Sequence, residues 1–177
     1  FGGTYPSLPW VAWWNPAKLD RDLAQYVEVA ARKGHNLLRL FMVTDRLCTK
    51  PGVFDTNMLD RVDRLPAGMG RRGLYAHVTL CAYGNFLSDF KDTFTRRNEL
   101  KARFFLGDPA LRAAWRFGAE TLLGPVNPHT GLAWKDDPSI ACLEFYNEQE
   151  SGLEQCARLP GDARALLDSQ FRAWLRE

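Results

Sequence analysis

An amide and a carboxylate stand side by side directly after an apolar segment in the second half of the chain. The apolar segment covers 140–145, and Asn147 and Glu148 follow it. Polar groups at the end of a buried strand can find partners or solvent, which offsets the cost of desolvation. Cleavage of a glycosidic bond needs a carboxylic acid that protonates the departing oxygen, and a second carboxylate that attacks or activates water. Glu148 is a candidate for the first of these groups.

Other residues could take part in the same chemistry. Arg39 is the one charged residue inside the apolar segment 36–43, where burial would demand a carboxylate partner. Trp14 and Tyr83 offer aromatic faces that match the apolar faces of sugar rings, although packing within loops is the alternative for each. From residue type, Glu148 is the catalytic candidate, and Tyr83 and Trp14 are candidate substrate-binding residues.

These polar residues also have purely structural interpretations. Taken alone, Glu148 could cap the next helix or pair with a basic side chain, and Asn147 could hydrogen-bond its own backbone in a turn. Glu144 has the same side-chain parity as Glu148 in an extended strand, and we interpret it as structural and paired. His77 alternates within an apolar strand and is interpreted as a hydrogen-bonded histidine of the core or of an interface.

The elements that would position these residues alternate between helix and strand. Capping residues, helical spacing and β-forming composition predict helices and strands in this order: a weak strand near 1–5, a helix from Asn15 to Gly34, a strand at 36–43, a helix at 58–72, a strand at 74–81, a helix from Asp108 to Gly124, a strand at 140–145 and a helix at 162–177. Pro66 predicts a kink or an early stop in its helix near Leu65. Residues 83–103 are predicted to form a long connection, which in a compact domain is usually functional.

This order predicts a parallel sheet built from βα units. Gly2-Gly3 without a G-x-G-x-x-G turn argues against a nucleotide-binding sheet. In a (β/α)8 TIM barrel the chemistry lies at the carboxyl ends of the strands, where Arg39, Tyr83 and Asn147-Glu148 fall. A full barrel takes about 250 residues and this chain offers about four strands, so 1–177 is predicted to be the N-terminal part of a single TIM-barrel catalytic domain. The missing half of the barrel, or a homo-oligomer contact, would cover the open sheet edge.

Composition excludes several other classes of protein. The net charge is +2, from 23 basic and 21 acidic residues without a block of like charge, so we expect no nucleic-acid partner. No apolar run reaches the ~18 to 20 residues that cross a bilayer, so no membrane insertion is expected. The four cysteines lack C-x-x-C spacing and the three histidines lie apart from them, which predicts neither a metal nor a cofactor.

The residues around Glu148 resemble the clan A glycoside hydrolases, and in particular poorly characterised relatives of the family 5 cellulases and mannanases. The resemblance implies a TIM barrel that cleaves a β-linked oligo- or polysaccharide with retention. It implies Glu148 as the acid/base and places Asn147 and Arg39 among the substrate-binding residues. Asn147 would contact the sugar 2-hydroxyl, and Arg39 would support a catalytic glutamate from strand seven, outside this chain. The segments that carry it are Arg39-Leu40, Leu59 to Asp63, Gly73 to Tyr75, Asn127 to Gly131, Asp136 to Pro138 and Leu143 to Glu148.

Two departures from the family pattern leave other functions open. Phe41 and Cys81 stand where the family usually has histidines, so a non-catalytic carbohydrate-binding barrel that has lost activity is the alternative. A phosphate-binding barrel enzyme such as an isomerase shares only the fold, because its phosphate site would follow strands seven and eight. The isolated chain is expected to be inactive, since it lacks the second glutamate. Family resemblance alone favours a secreted or periplasmic location.

Overall fold

A computed structural model of the chain describes residues 16–40, 47–50, 53–81, 96–148 and 159–177. Helices and strands alternate along most of this part of the chain. They are α1 (Pro16–Arg32), β1 (Leu37–Leu40), β2 (Cys48–Lys50), β3 (Val53–Phe54), α2 (Thr56–Gly70), β4 (Tyr75–Thr79), α3 (Arg97–Phe105), α4 (Pro109–Leu123), a 3-10 turn (Trp134–Asp136), β5 (Ile140–Glu144) and α5 (Gly161–Trp174).

The main sheet has three parallel strands in the order β1-β4-β5. Arg39 lies opposite His77 in the register of β1 and β4, and Thr79 lies opposite Glu144 in the register of β4 and β5. Parallel neighbours joined through helical segments are the βα units that the sequence predicts. The predicted parallel sheet is therefore confirmed for three strands, and the weak strand near 1–5 lies outside the described residues.

The two faces of this sheet differ sharply in chemistry. Leu38 and Leu40 of β1 and Val78 of β4 are fully buried against the helices, with Val27 of α1 and Val62 of α2 in the same core. Because side chains alternate along a strand, the intervening residues point to the opposite face. That face carries polar side chains and holds the candidate site.

The ends of the helices follow their sequence signals closely. The carboxylate of Asp108 accepts hydrogen bonds from the backbone N–H groups of Ala110 and Leu111, as expected of a cap before Pro109. Gly34 adopts a left-handed conformation with φ of 76° just after α1, a conformation that favours glycine. The predicted cap at Asn15 lies outside the described residues.

Three local features differ from the sequence expectations. Pro66 lies inside α2, which continues to Gly70, so the predicted early stop near Leu65 is wrong. Burial of Leu65, Pro66 and Met69 in the core compensates for the lost backbone donor. The predicted connection at 83–103 contains most of α3, a polar helix without a side-chain cap at its start. Strands β2 and β3 form an antiparallel pair that was not predicted.

The segment that leads into β5 is fixed to α2 by hydrogen bonds. The Asn127 side-chain amide donates to the backbone carbonyl of Asp63 over 2.7 Å, and the Trp134 indole N–H donates to the Asp63 carboxylate over 2.7 Å. Burial raises the pKa of the Asp63 carboxyl group. The His129 ring lies 2.8 Å from the carboxylate of Asp60. These contacts hold the turn region 127–137 in place and so fix where β5 begins.

Within the described ranges, no helix is long and apolar enough to cross a membrane.

Candidate active site

Arg39 is the centre of a polar cluster on the face of the sheet opposite the core. Its Nε donates to the Thr79 hydroxyl over 3.0 Å, and its Nη2 donates to the Glu144 carboxylate and, over 2.8 Å, to the Asn147 side-chain oxygen. The Thr79 hydroxyl in turn donates to the same Glu144 carboxylate over 2.5 Å. Arg39, His77, Thr79, Glu144 and Asn147 are called the Arg39 cluster below.

Strand register and alternation explain why the Arg39 cluster forms. Arg39 and His77 are register partners, Thr79 is two residues after His77, and Glu144 is the partner of Thr79. Residues two apart in a strand share a face, so all four side chains point the same way. Arg39 and Glu144 are about one-fifth exposed, which makes their pairing necessary to offset desolvation.

His77 adds a titratable group to this cluster. Its Nε2 lies 3.5 Å from the Glu144 carboxylate. Burial lowers the pKa of the His77 imidazole, and the negative charge of Glu144 raises it by a smaller amount. The imidazole is about one-fifth exposed and lies on the polar face of the sheet, and its interpretation as a hydrogen-bonded histidine of the core or of an interface stays a prediction. Glu144 is also the paired structural carboxylate that the sequence predicts.

Asn147 joins the cluster from just beyond the end of β5. Its backbone N–H donates to the carbonyl of Cys81 over 2.9 Å, and the Leu80 N–H donates to the carbonyl of Glu144 over 2.9 Å. The chain after β5 therefore remains bonded to the chain after β4. Because Arg39 has only donors, the Asn147 oxygen must face it, and the amide nitrogen faces the other way.

Glu148 lies next to the Arg39 cluster, at the carboxyl end of the sheet. Its side chain is 64% exposed, and its φ of 52° is left-handed, which is uncommon for a residue other than glycine. Lys101 of α3 donates from its ammonium nitrogen Nζ to the Glu148 backbone carbonyl over 3.1 Å. The same Nζ lies 3.9 Å from the Glu148 carboxylate. An accessible carboxylate in a fixed turn can exchange a proton with a bound molecule.

Two aromatic contacts anchor the residues between β5 and Glu148. The Tyr146 ring is buried and packs against Phe104 of α3, with ring centres 5.1 Å apart. The Trp115 indole N–H of α4 donates to the Phe145 carbonyl over 3.0 Å. The helices that follow β4 thus determine the path of the chain on which Asn147 and Glu148 stand.

The structure brings Asn147 and Arg39 into contact and places Glu148 beside them, whereas Trp14, Tyr83 and Phe41 lie outside the described residues. Cys81 is buried, and its side chain lies with Trp115 and Tyr146 beneath the helices rather than in the Arg39 cluster. No group of His, Cys, Asp and Glu residues suited to a metal ion occurs in the part of the chain that the structure describes.

Sequence reasoning did not identify Thr79 or Lys101 as members of the site. Thr79 follows His77 by two residues in a predicted strand, so side-chain parity with Arg39 and His77 was the signal that could have found it. Lys101 stands in the segment that was predicted to be a connection, and nothing in its neighbourhood signals a role.

Comparison with solved structures defines the class of fold. An endo-β-1,4-mannanase from Thermotoga petrophila superposes with a TM-score of 0.62 at 19% identity, covering 81% of this chain and 34% of that one. A family 5 glycoside hydrolase, a mannosidase from Rhizomucor miehei, gives a TM-score of 0.60 at 19% identity, covering 82% and 44%. The chain therefore has the fold of part of a (β/α)8 barrel, which confirms the predicted fold class.

Comparison of sequences names particular relatives. Mannan endo-1,4-beta-mannosidase 3 of Oryza sativa subsp. japonica is 30% identical over 146 residues, which cover 76% of this chain and 30% of that protein. Mannan endo-1,4-beta-mannosidase 4 of the same plant is 30% identical over 146 residues, with coverages of 76% and 31%. The chain thus spans about a third of the length of these curated relatives. No family model matches it. The predicted likeness to family 5-type glycoside hydrolases of clan A is confirmed.

Proposed function

We propose that residues 1–177 are the N-terminal part of the catalytic TIM barrel of a glycoside hydrolase that cleaves β-linked mannan. The observation that carries the proposal is the placement of Asn147 and Glu148 at the carboxyl end of β5, with Asn147 hydrogen-bonded to Arg39 of β1 over 2.8 Å. Active sites of TIM barrels lie at this end of the strands. The choice of mannan rests on the names of the sequence relatives.

Glu148 is proposed as the acid/base of a retaining mechanism with two glutamates. In the first step its carboxyl group gives a proton to the departing glycosidic oxygen while a second glutamate attacks the sugar carbon. In the second step the Glu148 carboxylate takes a proton from the water that releases the sugar. The exposure of the Glu148 side chain leaves room for a glycan on this side. The second glutamate is proposed to come from a later strand of the barrel, beyond this chain.

Asn147 and Arg39 are proposed to position the sugar and the reacting groups. Since the Asn147 oxygen accepts from Arg39, its amide nitrogen is the group that could donate to a sugar hydroxyl. Arg39 is fixed by Glu144 and Thr79, so the amide has one preferred orientation. Fixed donors cost little reorganisation during the reaction, which favours this arrangement for catalysis. Trp14 and Tyr83 are proposed as sugar-stacking residues on sequence grounds. No cofactor takes part.

The proposal is tested by hydrolysis of β-mannan by the complete protein and by its Glu148→Gln variant. We expect kcat/KM of the variant to fall by about 10²- to 10⁴-fold, which is the usual contribution of a general acid/base. Glu120→Gln, on the exposed surface of α4, is the matched control and should keep full activity. Unchanged mannan hydrolysis by Glu148→Gln would overturn the assignment.

Binding and product analysis separate the proposal from its alternative. If the complete protein binds manno-oligosaccharides but cleaves no β-linked glycan, the chain belongs to a non-catalytic carbohydrate-binding barrel. If cleavage inverts the anomeric carbon, as followed by proton NMR, the second carboxylate activates water rather than attacking the sugar. Retention is the result that we expect.

A further inference from the structure

Lys101 is a buried lysine whose side-chain nitrogen lies close to Glu148, the candidate acid/base. The residue is 2% exposed, although lysine is almost never fully buried unless it is paired. Its Nζ donates to the Glu148 carbonyl over 3.1 Å and lies 3.9 Å from the Glu148 carboxylate. Burial of the Lys101 side chain costs free energy of desolvation, which an exposed lysine on the same helix would avoid.

The surroundings of Lys101 direct its ammonium group toward Glu148. Its neighbours Leu100 and Ala102 on α3 are buried as well. The Lys101 ammonium lies 5.7 Å from the centre of the Tyr146 ring, which is within the range of a cation–π contact. Tyr146 is two residues before Glu148, so two residues of the bend after β5 lie close to this side-chain nitrogen.

We propose that Lys101 is a positioning residue for Glu148, an inference that rests on the proposed role of Glu148 as acid/base. Its hydrogen bond to the Glu148 carbonyl supports the left-handed backbone of that residue, a conformation that is uncommon for residues other than glycine. Its positive charge attracts the ionised carboxylate and limits the directions in which that side chain can point.

Lys101 has no part in the proton transfer itself. The proton that reaches the departing oxygen comes from the Glu148 carboxyl group, and Lys101 neither gives nor receives it. Small displacements of a catalytic group are costly to the rate because proton transfer requires hydrogen-bond distance to the reacting oxygen. The loss of Lys101 is therefore expected to affect the steps that use Glu148 and to spare the binding of the glycan.

The test compares the complete protein with Lys101→Met on two aryl β-mannobiosides. Methionine fills a similar volume without charge. For the phenyl glycoside, whose leaving group must be protonated, we expect kcat to fall about 10- to 100-fold, with KM changed less than about twofold. For the dinitrophenyl glycoside, whose leaving group departs without protonation, the rate of formation of the glycosyl-enzyme should stay within about threefold.

Two further variants separate positioning from folding. Lys101→Arg keeps a charged donor and should recover part of the lost rate on the phenyl glycoside. Lys135→Met removes an exposed lysine from the 3-10 turn and should match the original protein on both substrates. Thermal unfolding of each variant shows whether it is folded. If Lys101→Met does not fold, the same two substrates are compared with Lys101→Arg instead. An equal loss of rate on both glycosides in that variant contradicts the proposal.

The outcomes distinguish this inference from the proposed function. If Glu148→Gln is inactive on the phenyl glycoside while Lys101→Met keeps full activity, Glu148 is the acid/base and Lys101 does not position it. If Glu148→Gln retains full activity, the proposed function itself fails. If Lys101→Met loses rate equally on both glycosides, Lys101 contributes only to the fold and does not position Glu148.

Discussion

The same three strands present two faces with opposite chemistry. On the helix-covered face, Leu38, Leu40 and Val78 are fully buried in an apolar core. On the other face, Arg39 and Glu144 form an ion pair within the Arg39 cluster. The first face gains free energy from burial in proportion to its area. On the second face, the cost of desolvating the two charges offsets much of their Coulomb attraction. The ion pair therefore fixes the geometry of the site more than it adds stability.

This difference predicts where mutations will harm stability and where they will harm activity. A change on the apolar face should reduce the free energy of unfolding and leave the rate per folded molecule intact. A change within the Arg39 cluster should reduce the rate even when the protein stays folded. The three predictions below test this division, in order of decreasing effect on stability.

Leu38→Ala should have the largest effect on stability. The side chain is fully buried in the core, and removal of such a leucine costs about 2–5 kcal/mol because a cavity remains. Urea unfolding of the complete protein measures the loss, and kcat per folded molecule should stay unchanged. Leu132→Ala, at an exposed position, is the control and should cost less than about 1 kcal/mol. An equal loss at both positions would contradict the assignment of the core.

Arg39→Met should cost about 2–4 kcal/mol and most of the activity. The variant leaves the partly buried Glu144 carboxylate without its arginine, and it frees the Asn147 amide to rotate. The double variant Arg39→Met/Glu144→Met should recover stability relative to Arg39→Met, since no charge of the pair remains. Activity should not return. Recovery of activity in the double variant would contradict this prediction, because it would show that Arg39 only neutralises the charge of Glu144 and does not position Asn147.

His77 should produce the smallest effect, and it should depend on pH. Burial lowers the pKa of the imidazole, so the folded protein resists protonation where the unfolded chain accepts it. The contribution of His77 to the free energy of unfolding should be constant above the ordinary histidine pKa of about 6.5 and should decline as the pH falls below it. In His77→Gln this decline should be smaller in urea unfolding between pH 7 and pH 5. An identical pH dependence in both proteins would contradict the assignment.

The elements with strong local signals were predictable from the sequence. Asp108 before Pro109 and Gly34 after α1 act through local hydrogen bonds and backbone conformation, which depend little on the rest of the fold. Pro66 was misleading because packing of its neighbours against the core outweighs the local cost of proline. Helix α3 was missed because it is short, polar and uncapped by any side chain.

The site was predictable only where a motif marked it. Asn147, Glu148 and Arg39 were named as candidates from the sequence. Asn147 meets Arg39 because the bend after β5, held by the hydrogen bond from the Asn147 N–H to the Cys81 carbonyl, brings its side chain there. Among the described residues Arg39 forms an ion pair with Glu144, and its support for a catalytic glutamate of strand seven stays a prediction. Lys101 could not be found, since its contact with Glu148 spans 47 residues and depends on how α3 packs.

The most direct test of the central claim is chemical rescue of Glu148→Ala in the complete protein. If Glu148 is the acid/base of a retaining mechanism, its loss should slow the attack of water on the glycosyl-enzyme formed from a dinitrophenyl β-mannobioside, whereas added azide needs no base to attack it. We predict that azide restores turnover and that NMR identifies a β-glycosyl azide, the product of two inversions. Unaltered hydrolysis without azide, or an α-configured azide product, would contradict the assignment of Glu148.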